Sequence, residues 1–293
     1  MKLGLQIADF TWTGGAEAIG PTLSTLADAA EAYGFDAMAV ADHVWQNPYL
    51  GGVELPQLEC FMTLGHLAAR TRQVRLLPLV LAASYRPAGI IAKGITTLDV
   101  VSGGRAMLGI GAGYYEAEAS GLGLPFPPVA GRFALLEETL QACLQMWEGP
   151  LGSERPFRGT HIHMERTLNV PQSLSRPHPP ILIGGGGERK TLRLVARYAD
   201  ACGLYPTPDL PHKLDVLRRH CDDVGRDFAT IEKTCAVHFQ IDADGRLQGD
   251  LTAQLQVLAQ QGIETVFGIV HGPDPVHTVE VVGKEVLPVV MAA

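Results

Sequence analysis

The 293-residue sequence is short of paired cysteine: its five cysteines, at 60, 143, 202, 221 and 235, never stand at C-x-x-C spacing. An odd count without that spacing gives neither a disulfide framework nor a zinc knuckle, so the thiols read as reduced and mostly buried. Basic residues are outnumbered, 23 Lys and Arg against 31 Asp and Glu, for a formal charge of -8. A net acidic body argues against nucleic acid or an anionic membrane surface as a partner, and an anionic ligand must rely on local positive charge. No apolar run reaches membrane-spanning length; the terminal "VEVVGKEVLPVVMAA" is broken by Lys284, Glu285 and Pro288 and reads as a docked helix. The opening "MKLGLQIADF" lacks a basic region followed by an apolar stretch and a cleavage site. It reads as a strand, and the expected location is the cytoplasm.

What the chain does have is apolar residues, 46% of the total with 18% charged, enough to bury a large core. Short apolar runs alternate with helical patterns from "LGLQIA" and "TLSTLADAAEAYGF" to "ETVFGIV" and "TVEVVGKEVL", eight pairs in all. Strands that are apolar along their whole length are buried on both faces, and helical crossovers make them parallel. The pattern predicts an α/β fold, a single (β/α)8 TIM barrel over residues 1–293. An open doubly wound sheet is the alternative, disfavoured by eight alternations without a linker. Gly34, Gly103, Gly149 and Gly262 fall where helices should end in a left-handed cap.

One stretch breaks the rhythm. Residues 149–178 are inserted between the fourth helix and the fifth strand, and "THIHMERTLNV" within them reads as an extended strand or hairpin. His161 and His163 share a strand face and His178 follows, but no carboxylate cluster accompanies them, so no metal is assigned.

A barrel of this kind binds ligands at the C-terminal ends of its strands, so candidate residues are those just after each apolar run. After the fifth strand, "ILIGGGGERKTLRLVARYAD" places Gly184, Gly185, Gly186 and Gly187 before a helix read as starting at Glu188, Arg189 and Lys190. Bare amides at a helix N-terminus favour an anion, and four basic residues against two acidic ones give this stretch a net +2. The alternative is a turn needed only for packing. In "GIGAG", residues 109–113, a dinucleotide-binding reading is weak. Gly111 and Gly113 are read as letting a flat ring approach, flanked by Tyr114 and Tyr115. After the second strand come Asp42 and His43; the histidine could stabilise charge or exchange a proton with substrate. Trp12 and Trp45 either line the same pocket or pack in the core or at the rim. Pro78, inside "VRLLPLVLAASYRP", removes a ladder donor and predicts a bulge or irregular peptide there.

Together, "ADH", "LLPLVLAASYRPAGIIAKGITTLDVVSGGRAMLGIGAGYYEAEASGLGLPFPP" and "RPHPPILIGGGGERKTLRLVARYADAC" resemble the bacterial luciferase-like monooxygenase superfamily, with the closest likeness to its F420-dependent oxidoreductases. The resemblance implies a barrel holding coenzyme F420, a deazaflavin, at its mouth, with the phosphate near Gly184–Gly187 and Arg189. It implies a non-prolyl cis peptide at Leu79 and Val80 against the ring, with Ala82 beside it, and it matches His43 to the histidine near the reactive ring carbon. The function implied is hydride transfer between F420 and a small organic substrate, in a homodimer. In sugar-phosphate dehydrogenases of the superfamily a glutamate follows the fourth strand, where this chain has Tyr114, so that substrate class is in question. The alternative is an FMN-dependent monooxygenase that uses O2 and takes reduced flavin from a partner reductase.

Overall fold

The computed structural model describes residues 1–242, 244 and 246–292. Its first half runs β1 (Lys2–Ile7), α1 (Ala16–Tyr33), β2 (Ala37–Val40), α2 (Cys60–Arg70), β3 (Arg75–Pro78), β4 (Leu81–Ala82), α3 (Ala88–Ser102), β5 (Leu108–Gly111), α4 (Glu116–Gly121) and α5 (Val129–Trp147). The second half runs β6 (Phe157–Arg158), β7 (His163–Met164), β8 (Ile181–Gly184), α6 (Thr191–Tyr198), β9 (Ala201–Leu204), α7 (Leu210–Val224), β10 (Glu232–Phe239), α8 (Leu251–Gln260), β11 (Thr265–Val270), α9 (Pro275–Val281) and α10 (Leu287–Ala292).

The nine-stranded sheet has the order β3-β2-β1-β11-β10-β9-β8-β5-β4, with every pairing parallel. Its two edges are halves of one interrupted strand: β3 pairs with β2, β4 pairs with β5, and Leu76 bridges Ala106. The sheet therefore curls into a barrel of eight strand positions, as the alternation of apolar runs predicts. Small residues make this possible inside. Ala37, Ala39 and Ala201 share the barrel interior with Leu77, Met107, Leu182 and Phe267, and a Cβ at Gly4 would lie 2.9 Å from the Phe267 ring.

The helices bury their apolar faces against the outside of the sheet; in α6 Leu192, Val195 and Ala196 are buried while Arg193 and Arg197 are exposed. At the N-terminal ends of the strands Arg75 joins Asp36 of the loop before β2 (Nε to Oδ2, 2.9 Å) to Glu232 of β10 (Nη1 to Oε2, 2.9 Å). Between α5 and β8, β6 and β7 form an antiparallel hairpin held by the Glu138 carboxylate, which accepts the amides of Thr160, His161 and Ile162 at 2.8 Å each. His178 stacks on Trp147. Among the described residues no helix is long and apolar enough to cross a membrane.

Helix α6 starts later than the sequence pattern predicts, at Thr191 instead of Glu188. The Leu192 amide donates to the Gly187 carbonyl at 3.0 Å, five residues back, so residues 188–190 form a wide turn in place of a first helical turn.

Candidate functional site

A cavity of about 640 Å³ opens at the C-terminal ends of the barrel strands, lined by residues from all eight strand positions. Its most unusual wall is the break between β3 and β4, where the Leu79–Val80 peptide is cis. The Leu79 amide still donates to Val40 O at 2.8 Å, and Leu79 O accepts Gln6 Nε2 at 3.2 Å, so the residue before the break is tied through its amide to β2 and through its carbonyl to β1. Val80 points across toward β5 and β8, and glycines there make room for it. A Cβ at Gly184 would lie 2.9 Å from Val80 Cγ1, and one at Gly111 would lie 3.1 Å from Val80 Cγ2. At Gly109 a Cβ would come within 2.0 Å of the Pro78 carbonyl oxygen, which no side chain can accommodate. Leu79 and Val80 are only half-buried and line the cavity, presenting apolar surface to whatever occupies it.

Beside this wall, His43 is held by a carboxylate that is itself out of reach of water. Glu118, in α4, has no exposed surface; its Oε2 lies 3.0 Å from His43 Nδ1 and accepts Tyr85 OH at 2.7 Å, while its Oε1 accepts the amides of Val44 at 2.6 Å and Trp45 at 2.9 Å. Burial pushes the carboxyl pKa up, but hydrogen bonds from His43, Tyr85 and the Trp45 amide outweigh it and hold the group below its ordinary value. Burial and the same carboxylate push the Tyr85 phenol well above its usual range. The other ring nitrogen of His43, Nε2, faces Tyr114 OH at 3.2 Å, and Asn47 Nδ2 donates to the same hydroxyl. Burial, with Tyr205 and Glu118 nearby, pushes the Tyr114 phenol up to about 12, so it stays protonated at neutral pH. Asp42 is buried and paired with Arg86 at 2.8 Å, and its Oδ2 also accepts the Ala82 amide at 3.2 Å, fixing β4 to the end of β2.

Across the cavity lies the glycine loop. Gly184 and Gly185 line the cavity together with Thr191. Gly185 has φ +118°, a left-handed region that disfavours a side chain, and its amide donates to Gly203 O at 2.9 Å. Among the described residues the amides of Gly186 and Gly187 have no acceptor on the protein. The aliphatic arm and amine of Lys213 pack over Gly186, where a Cβ would meet them at 3.3 Å, and Lys213 Nζ pairs with Asp209 at 3.0 Å.

The structure thus brings Asp42, His43, Leu79, Val80, Ala82, Gly111, Gly113, Tyr114, Tyr115, Gly184 and Gly185 into one lining. Gly186, Gly187 and Arg189 stand behind it on the loop, with Arg189 exposed. Trp12 and Trp45 do not line the cavity: Trp12 is buried against Phe10, and Trp45 packs over Gly121, where a Cβ would be 2.0 Å from its ring. Sequence reasoning passes over Glu118, Tyr85, Arg86, Gln6 and His238. Glu118 lies in the first turn of α4 together with Glu116, and nothing in "YYEAEASG" distinguishes the two acids.

The family model for luciferase-like monooxygenases matches residues 5–247. The chain is 32% identical over 245 residues, 80% of this chain and 68% of the relative, to an F420-dependent glucose-6-phosphate dehydrogenase of Nakamurella multipartita. Among solved structures it resembles an F420-dependent secondary alcohol dehydrogenase in complex with an F420-acetone adduct (TM-score 0.80, 16% identity, 99% of this chain and 98% of that one). It also resembles the monooxygenase RslO1 of Streptomyces bottropensis (TM-score 0.78, 19% identity, 98% and 99%). At such identities the structural likeness shows the barrel fold alone. With its fold and most of its length matched, the chain belongs to the luciferase-like monooxygenase family.

Proposed function

We propose that the protein is an oxidoreductase that binds coenzyme F420 in the strand-end cavity and exchanges a hydride with a small organic substrate. The observation that carries this reading is the wall formed by Leu79 and Val80, half-buried and apolar, facing the cavity and backed by Gly109, Gly111 and Gly184, where an added Cβ would crowd Pro78 O or the Val80 methyls. A flat tricyclic ring needs such a wall. The cavity has the volume for it, about 640 Å³, in the range of small-molecule sites. The unpaired amides of Gly186 and Gly187, beside Arg189, suit the anionic tail. The residues present fit the group, and the sequence relationship to an F420-dependent dehydrogenase supports the same choice.

Bound there, the deazaflavin would supply the hydride chemistry. The chain's own residues orient and bind. Leu79 and Val80 buttress one ring face, the 184–187 loop with Arg189 holds the tail, and the Glu118 carboxylate fixes the ring orientation of His43 so that Nε2 points into the cavity toward Tyr114. His43 can then hold or give a proton at Nε2 while Nδ1 stays bonded to Glu118. The proposed substrate is a small organic molecule, and Tyr114, where sugar-phosphate dehydrogenases of the family have a glutamate, puts a sugar phosphate in question. The active species is proposed to be a cytoplasmic homodimer.

Fluorescence titration of the purified protein with F420 and, separately, with FMN tests the reading. Saturable F420 binding with no FMN binding is expected. FMN binding alone would transfer the site to a flavin monooxygenase served by a reductase.

A further inference from the structure

A second pair of titratable rings stands at the cavity, unused by the chemistry above. His238 lies at the C-terminal end of β10 and His271 just after β11, the adjacent strand. Nδ1 of His238 is 2.6 Å from Nε2 of His271, and the ring planes are inclined by 27° with centroids 4.8 Å apart, so the rings meet edge to edge. Two ring nitrogens at that distance share one proton: two protons would collide, and two lone pairs would repel. His238 lines the cavity, whereas the half-buried His271 lies outside the lining. His238, the more exposed of the two, opens onto the cavity, and His271 continues the pair outside the lining.

Its place in the barrel matters. Counting strands either way from the β3/β4 break, β10 is four positions away, diametrically opposite. A ring lying against Leu79 and Val80 turns its free face toward β10. The titratable groups contributed by the flanking strand ends are Asp9 after β1 and Tyr205 after β9, with Asp42 and His43 across the cavity. Burial lowers the pKa of His271, and the neighbouring His238 lowers it further while Asp9 opposes both, so the pair holds one mobile proton more readily than two charges.

We propose that His238 and His271 form a proton relay for a substrate that is an alcohol, or in reverse a carbonyl compound, bound on the free face of the cofactor; this rests on the F420-binding reading above. In the oxidising direction the substrate O–H bond breaks and its proton bonds to His238 Nε2. The proton on His238 Nδ1 crosses to His271 Nε2, and the proton on His271 Nδ1 leaves to solvent. The electron pair of the broken O–H bond becomes the second bond of the new carbonyl, and the hydride from the same carbon is taken by the oxidised deazaflavin. His238 touches the substrate; His271 acts through His238.

The test is side-chain ¹⁵N NMR of the imidazoles in the wild-type protein and in His238→Asn and His271→Asn, each first titrated with F420 by fluorescence. F420 affinity is expected to stay within about twofold in His271→Asn, whose side chain lies outside the cavity lining. In the wild type the two rings should titrate as one coupled pair, and His271→Asn should turn His238 into an independent single-site titration. With F420 bound, 2-propanol, cyclohexanol or benzyl alcohol should shift the His238 Nε2 resonance in the wild type. Independent titration of the two rings in the wild type, or a His238 resonance unmoved by all three alcohols, would overturn the relay. If the wild type does not bind F420 at all, the cofactor reading fails, while the coupled titration still decides whether the pair shares a proton.

Discussion

Val80 occupies the space that a side chain at position 184 would need: a Cβ on Gly184 would lie 2.9 Å from Val80 Cγ1 and 3.0 Å from Cγ2. The first glycine of the run therefore answers to a protein side chain rather than to a ligand. Gly184→Ala should push Val80 into the cavity and weaken F420 binding by about tenfold, roughly 1.4 kcal/mol. Val80→Ala in the same protein should restore most of the loss. A fluorescence-based double-mutant cycle checks this, and simple additivity of the two changes would show that the residues do not press on each other.

Removing the carboxylate behind His43 should be costly. Glu118→Ala leaves His43, Tyr85 and the Val44 and Trp45 amides without the fully buried carboxylate that accepts from them, and breaking a buried pair typically costs about 3–5 kcal/mol. Urea denaturation measures it; a loss below about 1 kcal/mol, the worth of an ordinary exposed pair, would mean that water reaches the carboxylate.

The same carboxyl gives a pH signature. Its folded pKa lies below the unfolded value, so its contribution to stability is complete above the unfolded pKa near 4.5 and is lost as pH falls through the folded one. Glu118→Gln should therefore lose stability on acidification less steeply than wild type below that pH. Parallel stability curves from pH 6 down to pH 3 would contradict the assignment.

At the opposite end of the barrel, Arg75 ties Asp36 to Glu232, and the two carboxylates raise its already high pKa against the effect of burial. Arg75→Met leaves the two acids with the mostly exposed Lys2 as their remaining cation, its Nζ 3.6 Å from Asp36 Oδ1 and 3.9 Å from Glu232 Oε1, and the expected cost is about 1–3 kcal/mol, under that of a fully buried pair. F420 affinity should not change, because nothing in this network reaches the cavity lining. A parallel loss of affinity, read by fluorescence in the folded variant, would show that the base of the barrel shapes its mouth.

Arg189 and Lys190 are exposed on the loop behind the cavity, with Lys190 Nζ 5.2 Å from the centre of the Phe133 ring. Reversing both charges, Arg189→Glu with Lys190→Glu, should weaken F420 binding by about tenfold at low salt and flatten its salt dependence. Unchanged affinity would leave the tail to the bare amides alone.

How far the sequence reaches can be judged from these residues. The alternation of apolar runs carries the barrel because burial on both faces of a parallel sheet leaves no other pattern for its strands. Pro78 marks the irregular peptide one residue before it occurs, since a lost ladder donor is visible in sequence. The glycine run is visible too, but its causes are not: Gly184 yields to Val80, Gly186 to the Lys213 arm, and only a folded chain brings those partners near. For the same reason α6 starts at Thr191, where a bond from Leu192 to Gly187 replaces the first helical turn that the charged residues 188–190 imitate. Glu118 and the His238–His271 pair escape because each acts on a residue at least 33 positions away.

The most direct measurement is a crystal structure of the protein with F420. The account places one ring face against Leu79 and Val80, the other toward His238, and the tail phosphate within hydrogen-bonding distance of the Gly186 and Gly187 amides. A ring bound elsewhere, or a phosphate held away from that loop with the glycines merely turning the chain, would contradict it.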